Sequence, residues 1–138
     1  MDKQQILVVD DEEINRIILM QMFEDSLDEY ELLEAGNGLE AVEQIDKNQN
    51  IVLILLDVVM PIMDGFKVLE HMQEKKLLEA IPVILITGES IEDSEGRAYD
   101  FGVADVIHKP FLTHIVRRRS KNIIELYQNK RNMERRLK

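Results

Sequence analysis

Short, mostly apolar runs alternate with amphipathic stretches along most of the chain. The run Ile51–Leu56 is apolar at every position, which is typical of a strand that is covered on both faces of a sheet. Four other runs are similarly short and stop at polar residues. The five predicted strands are Ile6–Val9, Tyr30–Leu33, Ile51–Leu56, Val83–Ile86 and Val103–Ile107.

Between these strands, apolar residues recur at helical spacing. Asn37 is placed to cap one such helix, whose residues Leu39, Val42 and Ile45 share a face, and Gly102 is placed to end another. The predicted helices are Ile14–Phe23, Leu39–Asp46, Phe66–Leu78, Ile91–Phe101 and one long helix from Phe111 onward. Strands that alternate with helices predict an α/β fold: a five-stranded parallel sheet with helices on both faces and an extended C-terminal helix.

The composition fits one domain in a reducing compartment. The 138 residues include no cysteine, which excludes disulfides, thiol catalysis and zinc sites built on cysteine. The longest apolar run, Ile51–Leu56, is too short to cross a membrane, and the N-terminal residues lack the pattern of a signal peptide. We therefore expect a cytoplasmic protein that does not bind a membrane.

Charge is unevenly distributed along the chain. The formal net charge is −10, from 17 Lys and Arg against 27 Asp and Glu. Residues 112–138 hold 9 basic and 2 acidic side chains, which leaves 8 basic and 25 acidic side chains for residues 1–111. A main body this acidic argues against nucleic acid as its partner.

Polar residues follow four of the predicted strands. Asp10 and Asp11 follow the first strand, Asp57 the third, Thr87 the fourth and Lys109 the fifth. Ligands of parallel sheets bind beyond the carboxyl ends of the strands, so we expect these side chains to share one crevice. Three carboxylates repel one another unless a cation binds, and Mg²⁺ prefers carboxylate and phosphoryl oxygens. A carboxylate nucleophile beside a hydroxyl, an ammonium and Mg²⁺ predicts phosphoryl transfer onto a carboxylate.

Four segments of the chain resemble the receiver domain of bacterial two-component response regulators. They are ILVVDDEEINR, LILLDVVMPIMDG, IPVILITG and DVIHKPF, which occur in the order of the family between residues 6 and 111. The resemblance implies a flavodoxin-like, doubly wound sheet with strand order 2-1-3-4-5 and a receiver domain over residues 1–116. Asp57 would then accept a phosphoryl group from a phosphohistidine on a sensor histidine kinase or phosphotransfer protein. Such a domain catalyses its own phosphorylation and dephosphorylation as a signalling module rather than as a turnover enzyme.

The resemblance also implies a set of Mg²⁺ ligands. Asp11 would bind the ion directly and Asp10 through a water molecule. Asp57 and the backbone carbonyl of Val59 would complete the protein ligands.

Further residues receive roles from the same resemblance. Thr87 would hydrogen-bond the phosphoryl group, and Lys109 would form an ion pair with it. A cis peptide bond is expected between Lys109 and Pro110, and a positive φ is expected at Gly65.

Two positions near the site depart from the family pattern, and two others flank the acceptor. Val106 stands where the family usually has a Tyr or Phe that acts as a rotameric switch, so the aromatic readout is missing. Gly88 replaces the more common alanine and should widen access to the acceptor. Val59 and Glu89 occupy positions that tune hydrolysis, and we expect apolar Val59, which cannot orient a water, to favour a long-lived phosphoryl group.

Two rival functions use some of the same residues. A haloacid-dehalogenase-like phosphatase also needs an Asp nucleophile and Mg²⁺, but it has a second acid where Val59 stands and no equivalent of the early Asp pair. A binding module that has the receiver shape and no longer takes phosphate is the other rival, and the intact acids, Thr87 and Lys109 argue against it.

Residues 117–138 are predicted to be a helical extension that leads to an output domain absent from this chain. A heptad frame places Val116, Ile123 and Leu137 at a positions and Leu126 and Met133 at d positions, which would allow a homodimer through this helix. A solvated extension of the last helix is equally consistent with the pattern. The parent protein is a regulator with a C-terminal effector, the receiver of a hybrid histidine kinase or a stand-alone receiver.

Overall fold

Five parallel strands form one sheet in the computed structural model, which describes residues 3–88 and 92–136. The strands are β1 (Gln4–Val9), β2 (Tyr30–Ala35), β3 (Ile51–Asp57), β4 (Val83–Thr87) and β5 (Asp105–His108). Their order is β2-β1-β3-β4-β5, so the predicted fold class is confirmed. The helices are α1 (Glu13–Gln21), α2 (Gly38–Lys47), α3 (Gly65–Glu74), α4 (Glu92–Phe101) and α5 (Thr113–Arg136), and a short 3-10 helix spans Glu24–Ser26. Ile91, the predicted start of the fourth helix, lies outside the described residues.

The central strand β3 is buried over its whole length, and it pairs with β1 on one side and β4 on the other. Successive side chains of a strand point to opposite faces of the sheet. Ile54 and Leu56 therefore pack in the core beneath α2 and α3, whereas Leu53 and Leu55 pack in the core beneath α1 and α5. Coverage on both faces explains why the sequence of β3 is continuously apolar.

One detail of the predicted helices was wrong. Helix α3 ends at Glu74, before the predicted end at Leu78, because Lys76 adopts a φ of 58° that a helix cannot continue through. On the predicted face of α2, Ile45 is buried and Leu39 is 46% exposed, and Ala41 is buried as well. The predicted cap of α2 is confirmed, since the Asn37 side chain accepts a hydrogen bond from the Glu40 amide at 2.9 Å.

Helix α5 continues without a break from Thr113 to Arg136 and packs on the sheet beyond residue 116. Val116 and Ile124 are buried in the core with α1, so Val116 is not available for the predicted heptad seam. Arg131 donates a hydrogen bond to the Ala80 carbonyl at 2.9 Å. Leu137, another member of that seam, lies outside the described residues. Between residues 3 and 88 and between 92 and 136, no helix is long and apolar enough to cross a bilayer.

Ser120 is a fully buried polar residue on the inner face of α5. Its Oγ finds no hydrogen-bond partner within the described part of the chain. We expect Ser120→Ala to raise the free energy of unfolding by about 1 kcal/mol, because it removes an unsatisfied buried hydroxyl and places a better helix former. The midpoint of urea unfolding measures the change.

Ser26→Ala is the matched control for this prediction. Ser26 is also buried, but its Oγ accepts a hydrogen bond from the Lys121 ammonium at 3.1 Å. Loss of that hydrogen bond should lower the urea concentration at the midpoint of unfolding. A Ser120→Ala protein that unfolds at lower urea than wild type contradicts the assignment of Ser120 as an unsatisfied group.

Candidate functional site

The carboxyl ends of the strands bring the predicted site residues together. One carboxylate oxygen from each of Asp10, Asp11 and Asp57 lies within 4.8 Å of the other two. The Lys109 Nζ lies 3.1 Å from the Asp10 Oδ2 and 3.4 Å from the Asp57 Oδ2. Asp10 and Asp57 are buried and Asp11 is exposed, so the cluster has a closed inner side and an open outer side. The predicted crevice is therefore present.

The backbone and α1 hold Asp10 in position. The Glu12 amide donates to the Asp10 Oδ1 at 2.9 Å, which fixes one side of the carboxylate. The Arg16 guanidinium donates to the Asp10 carbonyl at 2.8 Å and forms an ion pair with Glu34 on β2 at 2.9 Å. Sequence reasoning missed Arg16, although a basic residue within two helical turns of an acidic pair is a signal that could have been used.

Gly65, the first residue of α3, lies against the end of the acceptor strand. Its amide donates to the Val58 carbonyl at 2.8 Å. A Cβ at this position would lie 2.4 Å from the Asp57 carbonyl oxygen and 2.9 Å from the Val58 Cα. The expected positive φ was wrong, since Gly102 is the glycine with positive φ among the described residues. Gly65 is needed because the backbones approach closely.

The loop between β3 and α3 is held from a second side by α2. The Gly38 amide donates to the Met63 carbonyl at 3.0 Å, and a Cβ on Gly38 would lie 2.2 Å from that oxygen. Within the loop, Ile62 has a φ of 69° and a side chain that is 79% exposed. A β-branched residue in this conformation is strained and persists only where its surroundings require it. The loop is held by the close contacts of Gly38 with Met63 and of Gly65 with Asp57 and Val58.

Lys109 approaches the carboxylates from the segment after β5, and Thr87 is the last residue of β4. Thr87 is 1% exposed, and its carbonyl accepts a hydrogen bond from the Lys109 amide at 2.8 Å. The peptide bond between Lys109 and Pro110 is cis, as predicted. A Cβ added to Gly88 would meet the Lys109 Cδ at 3.8 Å, an ordinary contact, so the extra space at Gly88 is modest.

Val106 and Val59 lie in different surroundings. The Val106 side chain is buried, with 6% exposed, and fills its position on β5 without an aromatic ring. The Val59 side chain is 55% exposed and follows Asp57 by two residues. Glu89 lies outside the described residues.

The electrostatics of the cluster favour a cation near Asp57. Burial, opposed by the Lys109 ammonium and reinforced by the Asp10 carboxylate, raises the pKa of Asp57 to about 6. Burial lowers the pKa of Lys109, but its hydrogen bond to Asp10 and the charge of Asp57 outweigh that effect and raise the pKa. One ammonium thus contacts two of the three carboxylates in the cluster. A hard divalent cation that prefers oxygen ligands fits the remaining negative charge.

Comparison with known proteins identifies the family that the sequence motifs resemble. The family model for the response regulator receiver domain matches residues 6–120. The transcriptional regulatory protein SrrA of Staphylococcus aureus is 36% identical over 126 residues, which are 91% of this chain and 49% of that protein. The chain thus spans about half the length of the curated relatives it matches.

Solved structures also resemble the chain. A CheY-like response regulator receiver domain protein from Methanospirillum hungatei superposes with a TM-score of 0.82 and 23% identity, covering 94% of this chain and 99% of that one. The signal receiver domain of a signal transduction histidine kinase from Syntrophus aciditrophicus gives a TM-score of 0.76 and 30% identity, covering 88% and 90%.

Proposed function

The chain belongs to the response regulator receiver domain family, and from that premise we propose that Asp57 accepts a phosphoryl group from a phosphohistidine. The observation that carries the proposal is the position of Asp57 at the buried end of β3, with the Asp10 and Asp11 carboxylates within 4.8 Å and the Lys109 ammonium at 3.4 Å. Receiver domains interact with histidine kinases or phosphotransfer proteins, and one of these is the proposed donor.

The residues of the pocket fit Mg²⁺ as the metal. Asp10, Asp11 and Asp57 supply hard oxygen ligands, and the Val59 carbonyl completes the proposed set. Bound Mg²⁺ would neutralise charge on the phosphoryl oxygens during transfer. The three carboxylates outnumber the one ammonium that contacts them, which supports a divalent cation in this pocket.

The proposed transfer uses side chains of the pocket together with the phosphohistidine of the donor. A carboxylate oxygen of Asp57 attacks the phosphorus, the bond from phosphorus to the imidazole nitrogen breaks, and the donor histidine takes a proton as it leaves. Lys109 pairs with the phosphoryl oxygens, and the Thr87 hydroxyl donates to one of them. Attack by water on the aspartyl phosphate reverses the modification, which suits a signalling module.

Incubation of the chain with Mg²⁺ and acetyl phosphate tests the function. We expect a single acid-labile phosphoryl adduct on Asp57 that does not form when a chelator removes Mg²⁺. Continuous turnover of phosphate monoesters would instead favour the haloacid-dehalogenase-like phosphatase. A protein that takes up neither phosphoryl group nor beryllofluoride would be an inert binding module.

The apolar, exposed Val59 carries a prediction about the lifetime of the aspartyl phosphate. An amide side chain at this position can hold a water molecule near the phosphorus, whereas valine cannot. We expect Val59→Asn to shorten the half-life of the phosphorylated chain roughly tenfold, which is less than the roughly 10²–10⁴-fold effect of a general base because an amide orients a water without taking its proton. The decay of radiolabelled protein in Mg²⁺ buffer measures it, and an equal half-life for the two proteins would overturn the hypothesis.

The setting of the domain is also proposed. We assign a cytoplasmic location, a receiver over residues 1–116 and a helical extension over 117–138 that leads to an output domain. The acidic main body argues against nucleic acid as a direct ligand. We also propose a homodimer through α5, because Leu126 and Met133 are 63% and 64% exposed. Light scattering over a concentration series, with and without beryllofluoride, tests the dimer.

A further inference from the structure

Arg16 on α1 connects the end of β1 to β2 beside the acidic cluster. Its Nη1 donates a hydrogen bond to the Asp10 carbonyl oxygen at 2.8 Å, and its Nε donates to the Glu34 Oε1 at 2.9 Å. The Arg16 side chain is 16% exposed and that of Glu34 is 50% exposed, so the guanidinium is the better buried partner. One flat, rigid group thus holds two acceptors at once, which the ammonium of a lysine on its flexible stem does not reproduce.

The carbonyl that Arg16 holds belongs to the peptide group between Asp10 and Asp11. The Asp10 side of this turn is fixed by further hydrogen bonds, since its amide donates to the Ala35 carbonyl at 3.2 Å and its Oδ1 accepts from the Glu12 amide at 2.9 Å. Asp11 is the exposed member of the acidic cluster. A hydrogen bond to the Asp10 carbonyl restricts rotation of the peptide group, and with it the direction in which Asp11 leaves the strand. Arg16 is therefore placed to orient Asp11 through the backbone.

Acidic side chains balance the charge of Arg16. A guanidinium this close to a cation site repels the cation, and the ion pair with Glu34 reduces that repulsion. Glu40 approaches the same place from α2, because the point where a Cβ on Gly36 would lie is 3.4 Å from the Glu40 Oε1 and 3.5 Å from the Arg16 Nη1. The chain thus keeps the hydrogen bond to the Asp10 carbonyl and offsets most of its electrostatic cost.

We propose that Arg16 is a positioning residue for Mg²⁺, which fixes the peptide group between Asp10 and Asp11 so that the Asp11 carboxylate is oriented before the ion binds. The inference deepens the proposed function and rests on its Mg²⁺ site, in which Asp11 is a direct ligand. A ligand that is already oriented loses less conformational freedom when the ion binds, so the group that orients it raises the affinity for the metal.

Three roles of Arg16 predict different changes in Mg²⁺ affinity. If Arg16 acted only through its charge, its removal would strengthen Mg²⁺ binding, because a positive charge would leave the neighbourhood of the site. If it only supported the fold, its removal would lower the free energy of unfolding and leave the affinity of the folded chain unchanged. If it orients Asp11, its removal weakens Mg²⁺ binding. The direction of the affinity change therefore identifies the role.

Titration of the full chain with Mg²⁺, followed by two-dimensional NMR of the backbone amides without a phosphoryl donor, provides the test. We expect Arg16→Ala to bind Mg²⁺ roughly tenfold more weakly than wild type, at the lower end of the range for loss of a group that orients a metal ligand. Arg16→Lys keeps the charge but loses the flat guanidinium, so its affinity should fall between those of wild type and Arg16→Ala.

Arg119→Ala is the matched control. Arg119 also donates from Nη1 to a carboxylate, the Asp105 Oδ2 at 3.3 Å, but Asp105 begins β5, at the end of the strand opposite the pocket. This variant removes the same charge and a similar ion pair away from the acidic cluster. Its Mg²⁺ affinity should match that of wild type.

The outcomes distinguish this inference from the proposed function. If wild type binds no Mg²⁺, the proposed metal site and this inference are both wrong. If wild type binds Mg²⁺ and Arg16→Ala binds it equally or more tightly, the inference alone is wrong. Should Arg16→Ala fail to fold, Arg16→Lys decides the matter: weaker binding at unchanged charge supports the positioning role, and wild-type affinity overturns it.

Discussion

The Asp57→Asn chain is expected to take up phosphoryl groups from acetyl phosphate at least roughly a thousandfold more slowly than wild type, as is typical when a nucleophile is removed. An amide oxygen carries no full charge and is a poor nucleophile at phosphorus. The neighbouring Asp10 does not take its place, because its carboxylate is held by the Glu12 amide at 2.9 Å and by the Lys109 ammonium at 3.1 Å. Mass spectrometry of the intact protein measures the adduct.

Asp28→Asn is the matched control for that variant. Asp28 is an exposed acid in the segment after the 3-10 helix, far along the chain from every residue of the pocket. It should be labelled at the wild-type rate. Undiminished labelling of Asp57→Asn would remove the basis for Asp57 as the acceptor, and with it the proposed roles of Thr87 and Lys109.

Asp57→Asn should also stabilise the fold in a pH-dependent way. The pKa of Asp57 is raised from 3.8 to about 6 in the folded chain, so the folded state binds the proton more tightly than the unfolded state does. Stability therefore falls as the pH rises from about 4 to about 6, and the penalty is complete at neutral pH. Without Mg²⁺, Asp57→Asn should unfold at higher urea than wild type at pH 7 and show no such gain below pH 4. Urea titrations at both values measure the difference.

The location of the pocket could be predicted because the apolar runs of β1 and β3 each end at an aspartate. Leu56 followed by Asp57 and Val9 followed by Asp10 are local signals, and a parallel sheet places both residues at one edge. The strand order needed the family resemblance, because apolar runs do not encode which strands are neighbours. Helix ends were less predictable: Lys76 takes a left-handed conformation that sequence analysis expects of glycine or asparagine.

Contacts between distant segments could not be predicted from the sequence. Nothing in the spacing of Phe66 and Arg97 indicates that the ring and the guanidinium meet, since the contact depends on how α3 and α4 pack. Ser120 looked like an ordinary polar residue on a long helix, and only the packing of α5 shows it to be buried. Gly65 was correctly predicted to be a position that needs glycine, but the predicted reason, a positive φ, was wrong. A glycine in a motif does not reveal whether its φ or crowding by neighbouring atoms excludes a side chain.

Crowding at Gly65 predicts that Gly65→Ala is strongly destabilising. The new Cβ would lie 2.4 Å from the Asp57 carbonyl oxygen, 2.9 Å from the Val58 Cα and 3.2 Å from the Asp57 carbonyl carbon. All three are backbone atoms of the acceptor strand and the residue after it, so no side-chain rotation relieves the contact, and α3 must move away from β3. We expect the free energy of unfolding to fall by about 2–4 kcal/mol, and phosphorylation to slow because the backbone at Asp57 shifts.

Gly96→Ala is the control, since its Cβ meets nothing within 4 Å and alanine in a helix interior should stabilise by up to about 1 kcal/mol. Urea unfolding and the rate of labelling by acetyl phosphate are measured on both variants, and wild-type behaviour of Gly65→Ala in both would show that the close approach of α3 to the acceptor strand is not required.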